Sequence, residues 1–184
     1  MTKRNAGLDL VNSEHIRGPD QVDDELDNPL WVERFLRRWS LPNPLGSREM
    51  MKLRDLRDVL RDVVDELGRS NSISDECLQK LQGFMPASVT RTQLERDGLG
   101  GYRVVHVADD DRCVSAEIAQ EFAKLVAEDG WRRVKACNNE HCRWAFYDES
   151  RNRSRRWCDS SACGNVMKVR AFRKRQGQGG EEEN

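Results

Sequence analysis

The sequence lacks the features that would place it in a membrane or in several common classes of enzyme. No stretch of its 184 residues approaches the apolar length that a transmembrane helix needs, and no hydrophobic segment follows residues 1–4. It has no glycine-rich phosphate loop, no His-Glu-x-x-His motif, and no deaminase motif that combines His-x-Glu with Pro-Cys-x-x-Cys. We therefore expect a cytoplasmic protein that has no membrane partner and is not an enzyme.

The cysteines are concentrated near the C-terminus. Four of the six form two pairs, each enclosing four residues, with fifteen residues between the pairs: Cys137 with Cys142, and Cys158 with Cys163. Two short cysteine loops can supply the four ligands of a structural Zn²⁺ site, which leaves no open position for catalysis. The alternatives are disulfides, which a reducing compartment disfavours, and scattered free cysteines. His141 is a reserve ligand in place of Cys142. Cys77 and Cys113 are predicted to be core thiols.

The residues around these cysteines predict a small zinc module. Residues 143–147 are predicted to form a strand that pairs with residues 155–157 across a polar turn, giving a hairpin. After Cys163, apolar residues at helical spacing predict a basic C-terminal helix. The order of cysteine loop, hairpin, cysteine loop and helix is treble-clef-like. Trp144 and Trp157 are expected to pack around the metal, with stacking on bases as the alternative.

A longer motif surrounds the second cysteine pair. It reads Phe146-x-Asp148-x-Ser150-x-Asn152-x-x-x-Arg156-Trp157-Cys158, then Cys163-Gly164-Asn165-x-x-Lys168-x-Arg170. This motif resembles the bacterial CGNR-type zinc finger. In that family the finger follows an N-terminal ABATE domain, described as a stress-induced transcription regulator, and the four cysteines would be the metal ligands. The chain departs from the family pattern where Val166 replaces the arginine after Gly-Asn.

The rest of the chain predicts a mainly helical domain with one β-hairpin. Helices are expected after Asn28, from Ser47 to Gly68, from Ser74, and from residue 114 to residue 130, where apolar residues recur at helical spacing. Residues 88–96, an Asp97-Gly98 turn and residues 102–107 predict the hairpin. The predicted fold class is α+β, with an ABATE-like domain at 1–130, the finger at 131–175 and a disordered tail at 176–184. The link at 131–135 is too short for a free tether, so we expect the finger to pack on the body.

One predicted helix has a charged face opposite its apolar residues. That face carries Arg54, Asp55, Arg57, Asp58, Arg61 and Asp62. Pairs of this kind stabilise a helix by only ~0.2–0.5 kcal/mol each, so we expect a solvated surface without function. His15 is a candidate for lining a ligand pocket, although a single histidine is more often a surface or core residue.

Charge is distributed unevenly along the chain, although its net value is only −1. Residues 131–175 contain 13 Lys or Arg and 4 Asp or Glu, a formal +9, whereas residues 1–130 contain 18 and 25, a formal −7. A basic module beside an acidic body is typical of nucleic-acid-binding proteins, although a basic helix can also be only a solvated surface. The predicted contact residues are Arg151, Arg153, Arg155, Arg156, Lys168, Arg170, Arg173 and Lys174.

We therefore expect a zinc-dependent DNA-binding regulator of transcription, with a stress response implied by the resemblance. Its N-terminal domain would sense a small-molecule effector or mediate association, for example as a homodimer. RNA binding through the same basic surface and a zinc-stabilised protein-interaction module are the alternatives. The dependence of affinity on salt separates polyanion binding from protein interaction.

Overall fold

The structure is a computed structural model that describes residues 4–18, 21–85, 90–96, 101–108, 113–128 and 130–178. Its elements, in chain order, are α1 (Ala6–Val11), β1 (Glu14–Gly18), β2 (Gln21–Asp24), α2 (Pro29–Arg38), α3 (Ser47–Ser70), α4 (Asp75–Gly83), β3 (Thr90–Arg96), β4 (Tyr102–Ala108), α5 (Val114–Ala127), β5 (Val134–Ala136), β6 (Ala145–Tyr147) and α6 (Asn165–Gln178). The predicted α+β class is confirmed. Within the described ranges, none of these helices has the length and apolar character needed to cross a membrane.

Helix α3 is the centre of the hydrophobic core. Its apolar residues recur every three or four positions and therefore share one face. These residues, each at most 2% exposed, are Leu53, Leu56, Leu60, Val63, Val64 and Leu67. Helices α1, α4 and α5 pack against α3, and so does strand β5 from the C-terminal part of the chain. The same helix therefore supports both parts of the molecule.

Side-chain caps fix the starts of α2 and α4 where the sequence predicts them. The Asn28 side chain accepts hydrogen bonds from the N–H groups of Leu30 and Trp31, at 3.1 and 3.4 Å. The Ser74 hydroxyl accepts one from the Cys77 N–H at 3.3 Å. Both caps satisfy donors that the first turn of a helix leaves without a partner.

The predicted end of α3 at Gly68 is two residues too early. The helix continues to Ser70 and stops at Asn71, whose φ of 51° lies in the left-handed region. Asparagine is one of the few residues other than glycine that adopts this conformation readily. Burial of Leu67 extends the apolar face to this end of the helix, and this offsets the roughly 1 kcal/mol that an internal glycine costs.

Three two-stranded antiparallel sheets occur among the described residues. The predicted hairpin is confirmed as β3 paired with β4, from Thr90 opposite Ala108 to Arg96 opposite Tyr102. Its predicted Asp97-Gly98 turn lies outside the described residues. The pairing of β1 with β2 was not predicted.

The strand predicted at residues 143–147 exists in part, but its predicted partner is wrong. Strand β6 pairs with β5, with Val134 opposite Tyr147, and not with residues 155–157. The Arg155 N–H donates to the Asp148 carboxylate at 2.9 Å, and the Arg155 carbonyl accepts from Lys135 Nζ at 3.2 Å. Because side chains bind these backbone groups, residue 155 is held outside a strand ladder. The segment at 131–135, predicted to be only a link, supplies the start of the first strand of the finger instead.

The finger packs on the body, as the short link predicts, and Asn12 at the end of α1 connects the two through a pair of hydrogen bonds. Asn12 Nδ2 donates to the Ala145 carbonyl at 2.8 Å, and the Ala145 N–H donates to Asn12 Oδ1 at 2.7 Å. Both residues are buried. The side-chain amide therefore pairs with β6 as a backbone peptide group would.

The expectation of a solvated charged face on α3 is wrong for all three of its arginines, since Arg54 also donates to the carboxylates of Asp24 and Asp27. Arg57 is buried and donates to the Asp24 carboxylate at 2.6 Å, which attaches the β1–β2 hairpin to the helix. Arg61 donates to two backbone carbonyls, those of Val11 at 2.8 Å and Arg143 at 2.7 Å. Arg61 therefore joins α1 to the finger. Helical periodicity alone does not distinguish such connecting arginines from solvated ones.

Candidate metal centre and basic surface

Cys137, Cys142, Cys158 and Cys163 converge on one point. Their Sγ atoms all lie within 4.8 Å of one another, with 3.6 Å between Cys142 and Cys158 and 3.8 Å between Cys158 and Cys163. Sulfurs bound tetrahedrally at about 2.3 Å from a zinc ion would be about 3.8 Å apart. The donor set and its spacing therefore fit such an ion. All four are free cysteines, since a disulfide needs sulfurs about 2.05 Å apart.

His141, the reserve ligand, does not belong to this cluster. Its side chain is 46% exposed and faces the Glu140 carboxylate, with Nε2 3.5 Å from Oε1. The symmetric set of four cysteines therefore accounts for the site.

The first cysteine loop is closed by Asn139. Its carbonyl accepts hydrogen bonds from the N–H groups of Cys142 at 2.8 Å and Arg143 at 3.1 Å. Arg143 adopts a left-handed conformation with φ of 47°, which turns the chain into β6. The Asn139 side-chain amide also points at the sulfur of Cys163, with Nδ2 3.5 Å from Sγ. One residue thus shapes the first loop and orients a ligand of the second.

The second cysteine loop is closed by Asp159. Its carboxylate accepts hydrogen bonds from the N–H groups of Ser161 at 2.7 Å and Ala162 at 2.8 Å. The turn it caps, Ser160–Gly164, leads without interruption into α6. The Cys158 N–H points at the sulfur of Cys137 at 3.4 Å. Hydrogen bonds of this kind stabilise negative charge on thiolate ligands.

The environments of Cys142 and Cys158 disfavour their ionised thiols, whereas hydrogen bonds from Asn139 and from neighbouring thiols outweigh burial at Cys163 and lower its pKa. Burial raises the pKa of Cys142 to about 11, and burial together with the adjacent Cys142 raises the pKa of Cys158. Four thiolates this close repel one another, and a bound divalent cation offsets this repulsion and favours the ionised form of the cysteines.

Asp148 is the centre of a buried polar cluster below the metal site. Its side chain is 0% exposed, and its carboxylate accepts hydrogen bonds from Lys135 Nζ at 2.7 Å and from the N–H groups of Ser150 and Arg155, each at 2.9 Å. Burial opposes ionisation of Asp148, but these hydrogen bonds outweigh it and lower the pKa to about 2. The charged carboxylate therefore fixes the segment from 148 to 155 against β5.

The two tryptophans predicted to surround the metal have different environments. Trp157 lies inside the finger, where a Cβ added at Gly164 would be 3.4 Å from its ring, and the Arg156 guanidinium lies over the ring at 5.5 Å. Trp144 is 39% exposed and stacks on His15 of the body, with ring centroids 5.3 Å apart. Trp144 therefore belongs to the interface between finger and body.

The predicted contact residues form two groups. Of those between 151 and 156, Arg153, Arg155 and Arg156 line a cleft of about 590 Å³, whereas Arg151 does not line it. The charged residues that line this cleft are Arg132, Lys135, Arg153, Arg155 and Arg156, and we call these five residues the basic cleft. Arg132 lies over the Trp131 ring at 4.2 Å. Sequence reasoning missed Arg132 because it treated 131–135 as a link, although the Trp-Arg-Arg run was a visible signal.

The Arg155 guanidinium is engaged within the protein. Its Nε donates to the Trp157 carbonyl at 2.9 Å, and its Nη2 donates to the Cys158 carbonyl. Its guanidinium also lies over the Phe146 ring at 5.0 Å. Arg155 therefore braces the second cysteine loop.

The second group lies on α6, which extends away from the rest of the finger. Residues 168–176 are all exposed, including Lys168, Arg170, Arg173 and Lys174. Arg170 Nη1 lies 4.0 Å from Glu140 Oε1. The apolar residues of this helix are also exposed: Val166 at 44%, Val169 at 47% and Phe172 at 53%. The helix runs to Gln178, past the predicted finger end at 175, and residues 179–184 of the predicted tail lie outside the described residues.

Comparison with known protein families matches two successive parts of the chain. A model described as "Putative stress-induced transcription regulator" (ABATE) matches residues 4–129, which is more than half of the chain. A model described as "CGNR zinc finger" matches residues 133–176. The resemblance stated from the sequence motif is thereby confirmed. A search of curated proteins gives no match.

Proposed function

This chain belongs to the ABATE family and carries a CGNR zinc finger, and on that basis we propose that it is a zinc-dependent, DNA-binding regulator of transcription. In this proposal, the finger at residues 131–175 contacts DNA. The ABATE domain holds the finger in place and senses an effector. Association of two chains as a homodimer is the alternative role of that domain, which sedimentation of the zinc-loaded protein tests.

The proposed metal is one Zn²⁺ bound by the four clustered cysteines. The ion would supply a structural cross-link between the two cysteine loops, and its closed ligand set supports a role other than catalysis. The site needs reduced thiols, so we propose that the protein works in the cytoplasm.

The observation that carries the DNA proposal is the exposed, basic helix α6. Its 14 residues make it about 21 Å long, and a helix fits the major groove of B-DNA, where arginine can bind guanine with two hydrogen bonds. Arg170 and Arg173 are the proposed base-reading residues, and Lys168 and Lys174 the proposed phosphate contacts.

Residues of the basic cleft would add phosphate contacts beside the helix. Arg153 and Arg156 belong to the predicted set, Arg151 lies on the same loop, and Arg132 is added because it lines the same cleft. Arg155 and Lys135 are proposed to contribute least, because backbone carbonyls already bind two nitrogens of Arg155, and the Asp148 carboxylate and two backbone carbonyls bind the Lys135 Nζ. The acidic body would repel phosphate and so confine binding to the finger.

A second candidate function is supported by the apolar residues of α6. Val166, Val169 and Phe172 are spaced three residues apart and are about half exposed, so a protein partner could bind this helix. Such binding would depend weakly on salt, whereas release of counterions makes binding to a nucleic acid strongly dependent on it.

The test measures fluorescence anisotropy of labelled duplex DNA and structured RNA of equal length with the zinc-loaded protein, over a series of salt concentrations. If ~6 phosphates are neutralised, log K for duplex DNA falls with log salt at a slope near −5. Removal of zinc by a chelator is expected to abolish this binding. Tighter binding of RNA would favour the RNA-binding function, and a flat salt response with both polymers would favour the protein-interaction function.

A further inference from the structure

A cavity lies where the finger meets the ABATE domain, on the side of the molecule that carries Trp144. Its volume is about 600 Å³, and its walls come from α1, β1, α2 and the finger. Much of the lining is aromatic. Trp31 stacks on Phe35 with ring centroids 5.0 Å apart, and His15 stacks on Trp144 at 5.3 Å. Two pairs of stacked rings therefore line one cavity.

The charge of this cavity is positive. Arg34, Arg37 and Arg38 of α2 line it together with one acid, Asp9. The Asp9 carboxylate already accepts hydrogen bonds from Arg38 Nη1 at 3.1 Å and from Trp39 Nε1 at 3.2 Å. Among the described residues, the Arg34 side chain makes one hydrogen bond, from its Nε to the Leu30 carbonyl of its own helix, and Arg37 has no ion-pair partner. The guanidinium groups of Arg34 and Arg37 are therefore available to an anion.

From this combination, we infer that the cavity binds a small aromatic carboxylate. Its volume lies within the range of about 300–1,000 Å³ that small-molecule sites occupy. The faces of Trp31 and Trp144 suit a flat ring, and an arginine fork matches the two oxygens of a carboxylate. The inference extends the proposed function, because it names the chemistry of the effector that the ABATE domain would sense.

The cavity is connected to the metal site through its finger wall. The Trp144 carbonyl accepts a hydrogen bond from the N–H of Cys137, a cluster cysteine, at 2.9 Å. The next residue is Ala145, whose backbone N–H and carbonyl are both bound by the side chain of Asn12. Asn12 also lines the cavity. A ligand against Trp144 thus contacts the segment that positions the first cysteine loop. Binding of the ligand is expected to change the affinity of the protein for nucleic acid several-fold.

Calorimetric titration of the zinc-loaded, full-length protein with benzoate, 2-naphthoate and 9-anthracenecarboxylate tests the inference, with 2-naphthamide as the neutral analogue of naphthoate. We expect one saturable site for at least one of the carboxylates, and binding of the amide at least tenfold weaker. The substitution Arg37→Gln is expected to weaken carboxylate binding about tenfold, since it removes one charge-assisted contact. Arg34→Gln is expected to act in the same direction. The matched control Arg48→Gln removes an exposed arginine that does not line the cavity.

The position of the ligand is read from the indole N–H signals of the protein in a heteronuclear NMR spectrum. Signals of Trp31 and Trp144 are expected to shift on addition of naphthoate, whereas that of Trp131, which lines the basic cleft, stays in place. Failure of all three carboxylates to bind at millimolar concentration would overturn the inference. Unchanged affinity in both Arg37→Gln and Arg34→Gln would do the same. Because these titrations contain no nucleic acid, their failure is distinguishable from failure of the DNA-binding proposal.

Discussion

Replacing Asp148 with asparagine keeps the shape of the side chain but removes its charge from a fully buried site. The backbone N–H groups of Ser150 and Arg155 and the Nζ of Lys135 lose an ionised acceptor. The side-chain amide of the new asparagine also places a donor where these donors point. The pKa of Asp148 falls from 3.8 to about 2 on folding. At 1.36 kcal/mol per pKa unit, the charged carboxylate stabilises the folded state by about 2 kcal/mol at neutral pH. We therefore expect Asp148→Asn to lower the free energy of unfolding by at least about 2 kcal/mol.

Urea denaturation of the zinc-loaded protein at pH 7 measures this loss, with the free zinc concentration buffered. For a slope of about 2 kcal/mol per molar urea, the midpoint is expected to fall by about 1 M. Fluorescence and circular dichroism should give the same midpoint, because the comparison requires a two-state transition. The exposed carboxylate of Asp62 on α3 provides a control with the same chemical change, because Asp62→Asn should shift the midpoint little. A midpoint for Asp148→Asn equal to that of this control would refute the reasoning.

The direction of the pH dependence follows from the same pKa shift. Because the pKa of Asp148 is lower in the folded state, its stabilisation is fully present above the unfolded value of 3.8. It is lost as the pH falls through about 2. The difference between wild type and Asp148→Asn should therefore be constant from neutral pH down to about pH 5.

The other predictions concern the metal, the interface and α6. Metal analysis is expected to find one zinc per chain. The variant Cys158→Ser is expected to lose this zinc and to expose the finger to limited proteolysis, since structural zinc contributes ~10–16 kcal/mol of apparent folding energy. An unchanged cleavage pattern would count against the site. The variant Asn12→Ala leaves the buried N–H and carbonyl of Ala145 without their partner. It is therefore expected to lower the free energy of unfolding by about 2–4 kcal/mol, and an unchanged urea midpoint would contradict this. Arg170→Ala combined with Arg173→Ala is expected to weaken DNA binding at least tenfold while metal content and circular dichroism stay the same; equal affinity would exclude α6 as the contact helix.

The cysteine cluster and most helices could be predicted because their signals are local. Equal spacing within the two cysteine pairs specifies two loops of the same size, and the structure brings their sulfurs together. Asn28 and Ser74 cap helices through residues two or three positions ahead. Such interactions depend on a few neighbouring residues, so the sequence pattern contains them in full.

The interface between finger and body could not be predicted, because its interactions are long-range. Asn12 and Ala145 are 133 positions apart, and no short pattern marks an asparagine that binds a strand. The partner of β6 was missed for a related reason: residues 155–157 have strand-like composition, but the side chains of Asp148 and Lys135 bind the backbone of residue 155, and the Asn138 N–H donates to the Arg156 carbonyl. Arg61 has the helical spacing of a solvated charge, and only the positions of two distant carbonyls distinguish it.

The pairing of Asn12 with Ala145 has a consequence for association between copies of the chain. A two-stranded ribbon exposes unpaired N–H and carbonyl groups along its outer sides, and these groups are templates for strand addition and aggregation. At Ala145 both groups are already bound by the asparagine amide. The body of the protein thus blocks the finger's ribbon at Ala145 against another strand, and Arg61 occupies the Arg143 carbonyl two residues earlier.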